Sequence, residues 1–138
     1  VVTLSNDEIK CIALFEQVTG AAVEDCVLEP DRMVFIVKEG EMGRAIGKGG
    51  STINRIREMF KKHVDVFEAA ESMEGFVRHL FSGVELRELK VLGQEKEKTV
   101  QIEVSPKDRG AVIGRNGDRI KLARALMERR YSVKLKLV

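Results

Sequence analysis

Tryptophan is absent from this sequence, tyrosine occurs once and phenylalanine six times. Sheets that read nucleic acid by stacking bases need exposed rings, so a stacking platform of that kind is disfavoured. Phe15, Phe60 and Phe76 moreover fall at apolar-periodic positions that suit a core. No apolar run approaches the roughly 18–20 residues that a membrane span requires, and residues 1–20 show no basic start followed by a long apolar stretch. No membrane partner is therefore expected, and the cytoplasm is the default compartment. Cysteine is scarce: Cys11 falls in a predicted helix and Cys26 in a predicted strand, and with His63 and His79 they match no zinc-site spacing. Both thiols read as reduced packing residues. A bridge between them stays open, because 33% charged residues beside three Gln and three Asn suit a heat-adapted source, where intracellular disulfides occur. No Ser/His/Asp or Cys/His arrangement stands out, so neither an enzyme, a small-molecule substrate nor a cofactor or metal is expected.

A formal net charge of +2 points to no partner by itself, but the charge is unevenly placed. Residues 44–62 hold six Lys or Arg against Glu58 alone, and residues 107–130 hold eight against Asp108, Asp118 and Glu128, so each stretch is +5. The remaining ninety-five residues carry ten bases and eighteen acids. One reading is a pair of solvated helix faces; what the two stretches share argues for more.

Sliding the chain on itself by 67 positions, the spacing from Gly47 to Gly114, aligns residues 33–69 with 100–136 without a gap. Gly43/Gly110, Ile46/Ile113, Gly47/Gly114, Gly50/Gly117, Ile53/Ile120, Arg57/Arg124 and Val66/Val133 are identical pairs. Each copy opens with an apolar strand, Met33 to Val37 or the alternating Val100, Ile102 and Val104. A short helix, a glycine corner and a longer helix follow. Ile53, Ile56 and Phe60, matched by Ile120, Ala123 and Met127, give the longer helix a core face, with Arg55, Arg57, Arg119 and Arg124 freer to face solvent. Val64 and Val66, or Val133, Leu135 and Leu137, supply a closing strand. Upstream, Ser5 and Glu8 form a candidate capping box and Ser72 a candidate cap, with Val84 to Leu92 reading as a strand with one break. The expected fold class is α+β: two units, residues 1–70 and 71–138, each helix-strand-strand-helix-helix-strand, with a three-stranded sheet covered by helices on one face.

A turn between helices needs only one glycine, yet both corners place glycine first and fourth with a basic side chain between them. Main chain without β-carbons lets a sugar-phosphate backbone approach closely, and the following helix offers amides and a positive dipole end. Lys48 and Arg115 add direct charge. A Walker loop would need glycine at 42 and Ser or Thr at 49, where Met42 and Gly49 stand, and a dinucleotide fingerprint fails at Thr52. Ile46, Ile53, Ile113 and Ile120 flank the corners and read either as an aliphatic groove floor or as core.

Ile46-Gly47-Lys48-Gly49-Gly50 and Ile113-Gly114-Arg115-Asn116-Gly117 resemble the signature loop of KH domains, in which Gly-x-x-Gly clamps the backbone of about four nucleotides. The helix-first, strand-last order is similar to the type II variant. Two such units in tandem resemble the archaeal NusA-type transcription factors, a likeness that spans essentially the whole chain. It implies single-stranded RNA, the nascent transcript, as partner, RNA polymerase as a neighbour, and a role in elongation, termination or antitermination. By position it implies RNA contact at Ile46, Gly47 to Gly50, Ile53, Arg55 and Arg57, and at Ile113, Gly114 to Gly117, Arg119, Ile120 and Arg124. Asn116 departs from Gly49 and adds a side chain to the second corner. A ribosome-associated or RNA-processing KH protein, and a module docking to polymerase with its positive loops serving acidic partner surfaces, remain as alternatives.

Overall fold

The computed structural model describes residues 3–138, which divide between Glu71 and Ser72 into two compact units. The first contains α1 (Asn6–Thr19), β1 (Val23–Leu28), β2 (Arg32–Val37), α2 (Met42–Ile46), α3 (Ser51–Phe60) and β3 (His63–Glu68). Helix α1 starts where Ser5 and Glu8 exchange bonds: the Ser5 hydroxyl accepts from the Glu8 N–H at 3.2 Å, and the Glu8 carboxylate accepts from the Ser5 N–H at 2.8 Å. A cap of this kind is worth about 1 kcal/mol. The helix stops at Gly20, whose φ of 74° admits a left-handed residue and whose N–H reaches the Glu16 carbonyl at 2.8 Å.

In the first sheet β1 runs antiparallel to β2, and β2 parallel to β3. A parallel neighbour requires a crossover, and α2 and α3 supply it. Every residue from Met33 to Val37 is buried. On one face Met33, Phe35 and Val37 meet Phe15 of α1 and Ile53 and Ile56 of α3, with the rings of Phe15 and Phe35 stacked 4.2 Å apart. Cys26 lies in this core and Cys11 packs against it; both are free thiols. Burial pushes the Cys11 thiol up, and the Asp7 carboxylate adds to the effect.

The second unit repeats the order with α4 (Met73–Leu80), β4 (Leu86–Leu92), β5 (Thr99–Val104), α5 (Arg109–Ile113), α6 (Asp118–Tyr131) and β6 (Lys134–Leu137). The molecule is thus α+β, with two three-stranded sheets of equivalent order. The Ser72 hydroxyl caps α4 by accepting from the Gly75 N–H at 2.9 Å. Strand β4 begins later than expected, because the Val84 N–H closes a turn onto the Phe81 carbonyl at 3.1 Å and Gly83 takes a φ of 86°. The expected break in β4 is a register shift between Leu86 and Glu88. Along β5, Val100, Ile102 and Val104 are buried while Glu103 is exposed, the alternation of a half-buried strand.

The gapless repeat fails at its end. Helix α3 has 10 residues and α6 has 14, an additional helical turn. Pairing of Met33 with Val64 and of Val100 with Leu135 makes Val64 the counterpart of Leu135. Lys61 and Ser132, each left-handed with a φ of 54°, end the two helices in the same way. Val66 and Val133 match in sequence by chance: Val66 lies within β3, whereas Val133 lies just before β6.

Phe35→Ala removes one ring of the stacked pair from a fully buried site and is expected to cost about 3–5 kcal/mol. Urea unfolding followed by circular dichroism measures it; a loss below about 1 kcal/mol would contradict this account of the first core.

Candidate nucleic-acid interface

The two corners have the same backbone. Gly47 has φ 75° and ψ 171°, and Gly114 has φ 76° and ψ 178°. That region is open essentially to glycine alone. Gly49 (φ 62°, ψ 20°) and Asn116 (φ 56°, ψ 26°) are left-handed, a conformation asparagine tolerates better than most residues. Gly50 and Gly117 are left-handed too and serve as N-caps of α3 and α6. The Gly47 N–H closes α2 on the Gly43 carbonyl at 2.9 Å, and the Gly50 N–H bonds the Gly47 carbonyl at 3.1 Å. In the second corner the matching bonds are 2.9 Å from Gly114 to Gly110 and 3.2 Å from Gly117 to Gly114.

A β-carbon on Gly47 would fall on the Thr52 side chain and 2.9 Å from the Thr52 nitrogen; one on Gly114 would lie 2.6 Å from the Arg119 Cβ and 2.9 Å from its nitrogen. The first glycine of each corner therefore lets the longer helix begin against the loop. By contrast, a β-carbon at Gly49 meets nothing within 4 Å. Lys48 and Gly49 are exposed, as are Arg115 and Asn116, so neither corner is covered. Unlike α1 and α4, which carry serine caps, α3 and α6 start without any side-chain cap. Their first amides bond to the corner itself, the Ser51 N–H to the Lys48 carbonyl and the Asp118 N–H to the Arg115 carbonyl, and their positive dipole ends carry no side-chain cap.

Of the remaining residues singled out in the sequence, Arg55 is exposed, and Ile46 and Ile113 are half-buried beside the corners. Ile53 and Ile120 are only 5% and 6% exposed and belong to the core rather than to an open floor. The guanidinium of Arg57 donates to the Val64 carbonyl at 3.2 and 3.3 Å, and that of Arg124 to the equivalent Leu135 carbonyl at 3.1 Å. Both residues are exposed overall while tying the long helix to the last strand. Arg119 departs most from expectation: its guanidinium turns back to backbone carbonyls, because its place in the first turn of α6 lies beside α5 and the end of α4. Two polar residues not singled out in the sequence stand beside the corners: the Asn54 Nδ2 and the Lys121 Cε lie 3.8 and 3.7 Å from where β-carbons on Gly50 and Gly117 would stand. The available signal was their position one turn beyond the last glycine, on the side where α3 and α6 meet the corner.

The corners differ in charge. Helix α3 opens on Ser51 with no acid in its first turn, whereas α6 opens on Asp118. An acid at that point offsets the helix dipole that would draw an anion.

A model of the KH domain family matches residues 11–95. Archaeal proteins named probable transcription termination protein NusA are similar along nearly the whole chain. The protein of Methanocaldococcus jannaschii is 36% identical over 138 residues, covering 99% of this chain and 75% of its own. That of Halococcus morrhuae is 39% identical over 132 residues, covering 96% of this chain and 94% of its own. The crystal structure of APE1850 matches with a TM-score of 0.88 at 35% identity, covering 98% of this chain and all of that one.

Gly47→Ala and Gly114→Ala should each destabilise their unit by about 1–3 kcal/mol through backbone strain alone, with the clash against Thr52 or Arg119 adding to it. Asn116→Gly should change stability by less than about 1 kcal/mol. Urea unfolding of the three variants checks the contrast, and equal losses for all three would contradict it.

Proposed function

The chain belongs to the KH-domain family and, within it, to the archaeal NusA proteins, and from that premise we propose that it binds single-stranded RNA through two Gly-x-x-Gly clamps during transcription. In this reading residues 1–70 and 71–138 are each a type II KH domain. Lys48 and Arg115 lie along the phosphates, the main chain at Gly49 and Asn116 admits the strand, and the uncapped starts of α3 and α6 face phosphate oxygens. Arg55, Asn54 and Lys121 extend the polar path along the long helices, while Ile46 and Ile113 border the bases.

The observation that carries the proposal is the recurrence of one unusual backbone. Two corners far apart in sequence adopt matching torsions, expose the same middle positions and precede helices without side-chain caps. A structural corner needs its glycines but gives no reason to leave two helix starts uncapped next to exposed cations. The name shared by the relatives, probable transcription termination protein NusA, supports a role in transcription termination, with RNA polymerase as the proposed neighbour and the nascent transcript as ligand. The role is one of binding, without chemistry performed on the strand.

Ser51 and Asp118 make the clamps unequal, the first being the stronger. Binding of an unstructured RNA, followed by fluorescence anisotropy across a salt series, tests both statements. Each phosphate neutralised should contribute about −0.7 to the slope of log affinity against log salt. Lys48→Asp with Gly49→Asp should lower affinity about tenfold or more, the loss of at least one hydrogen bond to a charged group. Arg115→Asp with Asn116→Asp should cost less. Wild-type affinity in a chain carrying all four changes would refute the clamps, and a larger loss from the second pair would refute their ranking.

A further inference from the structure

Arg119 stands two residues beyond the last glycine of the second corner, in the first turn of α6, where a cation would be expected to reach for phosphate. Its guanidinium goes elsewhere. One terminal nitrogen donates to the Ala111 carbonyl of α5 at 3.1 Å; the other donates to the Ser82 carbonyl at 2.9 Å and lies 3.5 Å from the Leu80 carbonyl. The group also sits 5.7 Å from the centre of the Phe81 ring, within reach of a cation–π attraction. Leu80 and Phe81 are almost wholly buried and end α4, so the far anchor is fixed. The near anchor is fixed as well, since the Cβ of Arg119 is the atom against which Gly114 must lack a side chain. A planar fork that bonds two backbone segments at once is a task for arginine, which a lysine ammonium does not reproduce.

We propose that Arg119 is a positioning residue: it holds the Gly114–Gly117 corner in register with the turn after α4 and makes no phosphate contact. The inference deepens the RNA-clamp reading and rests on it for its functional meaning, though not for its geometry. Among the described residues the first unit has no equivalent fork. Thr52 occupies the matching place, and the turn after α1 meets α2 through exposed Arg44, whose guanidinium lies 3.5 Å from the Gly20 carbonyl, and through Glu41, whose carboxylate accepts from the Ala22 N–H at 3.3 Å. The second corner, which carries Asn116 and the acid Asp118, is thus the one tied to the turn after its first helix by an arginine fork. A consequence is that changes in the Phe81–Val84 turn should be felt at the second clamp and not at the first.

Arg119→Gln tests the proposal in the full chain by amide hydrogen exchange. The Gly114 and Gly117 amides, whose bonds close the corner, should exchange about tenfold faster or more, with Val100 and Ile102 in the central strand and Gly47 and Gly50 in the first corner unchanged. Unaltered exchange at Gly114 and Gly117 overturns the proposal, as does equal acceleration throughout the second unit, which would mark a general stabilising role. Arg119→Lys should fail to restore protection, and full restoration would overturn the need for a fork. In a chain whose first clamp carries Lys48→Asp and Gly49→Asp, Arg119→Gln should weaken RNA binding without changing its salt slope. A slope shallower by about 0.7 would make Arg119 a phosphate contact and overturn the assignment. If that parent chain binds no RNA, the clamp reading fails while the exchange experiment still decides the role of Arg119.

Discussion

The first glycine of each corner is the constraint on which the rest depends. Gly47 and Gly114 take a positive φ with an extended ψ, and the space a β-carbon would need is filled by the first turn of the following helix. Any other residue would push that helix away, and with it the core side chains Ile53 and Ile56 or Ile120 and Ala123. Local backbone freedom and tertiary packing are therefore a single requirement. The second position is under no such pressure and the third need only accept a left-handed backbone, which is why Lys48 and Gly49 in one copy become Arg115 and Asn116 in the other without altering the turn.

This geometry governs the electrostatics. A helix that starts on glycine has no hydroxyl or carboxylate to satisfy its first amides, and α3 and α6 both start that way while α1 and α4 carry serine caps. The four helices thus divide into two closed by a serine side chain and two whose first amide bonds to a carbonyl of the glycine corner. Positive side chains cluster where the glycine starts are: each surrounding stretch is +5 in a chain whose formal net charge is +2. Asp118 offsets part of this effect in the second copy, so the repeated fold differs in charge at its two glycine-started helices.

Features tied to backbone chemistry were legible in the sequence. The Ser5–Glu8 capping box, the Ser72 cap, the glycine corners and the inward faces of α3 and α6 all stand where spacing placed them. The additional turn of α6 was hidden, because a sliding match cannot distinguish true equivalence from the chance pairing of Val66 in β3 with Val133 just before β6. Arginine roles were hidden for another reason. Periodicity puts Arg57, Arg119 and Arg124 off the apolar face, but a long side chain can curl back to a carbonyl from there. All three do so. Ile53 and Ile120 show the converse limit: helical spacing marks a residue as inward without saying whether inward means core or groove.

Backbone amide shifts during titration with a short unstructured RNA test the central claim most directly, because they report on the main chain itself. The account predicts that the largest changes fall on Lys48 to Ser51 and Arg115 to Asp118, with the first corner responding at lower RNA concentration. Saturable binding that leaves both corners unmoved and shifts resonances on the sheets instead would contradict it.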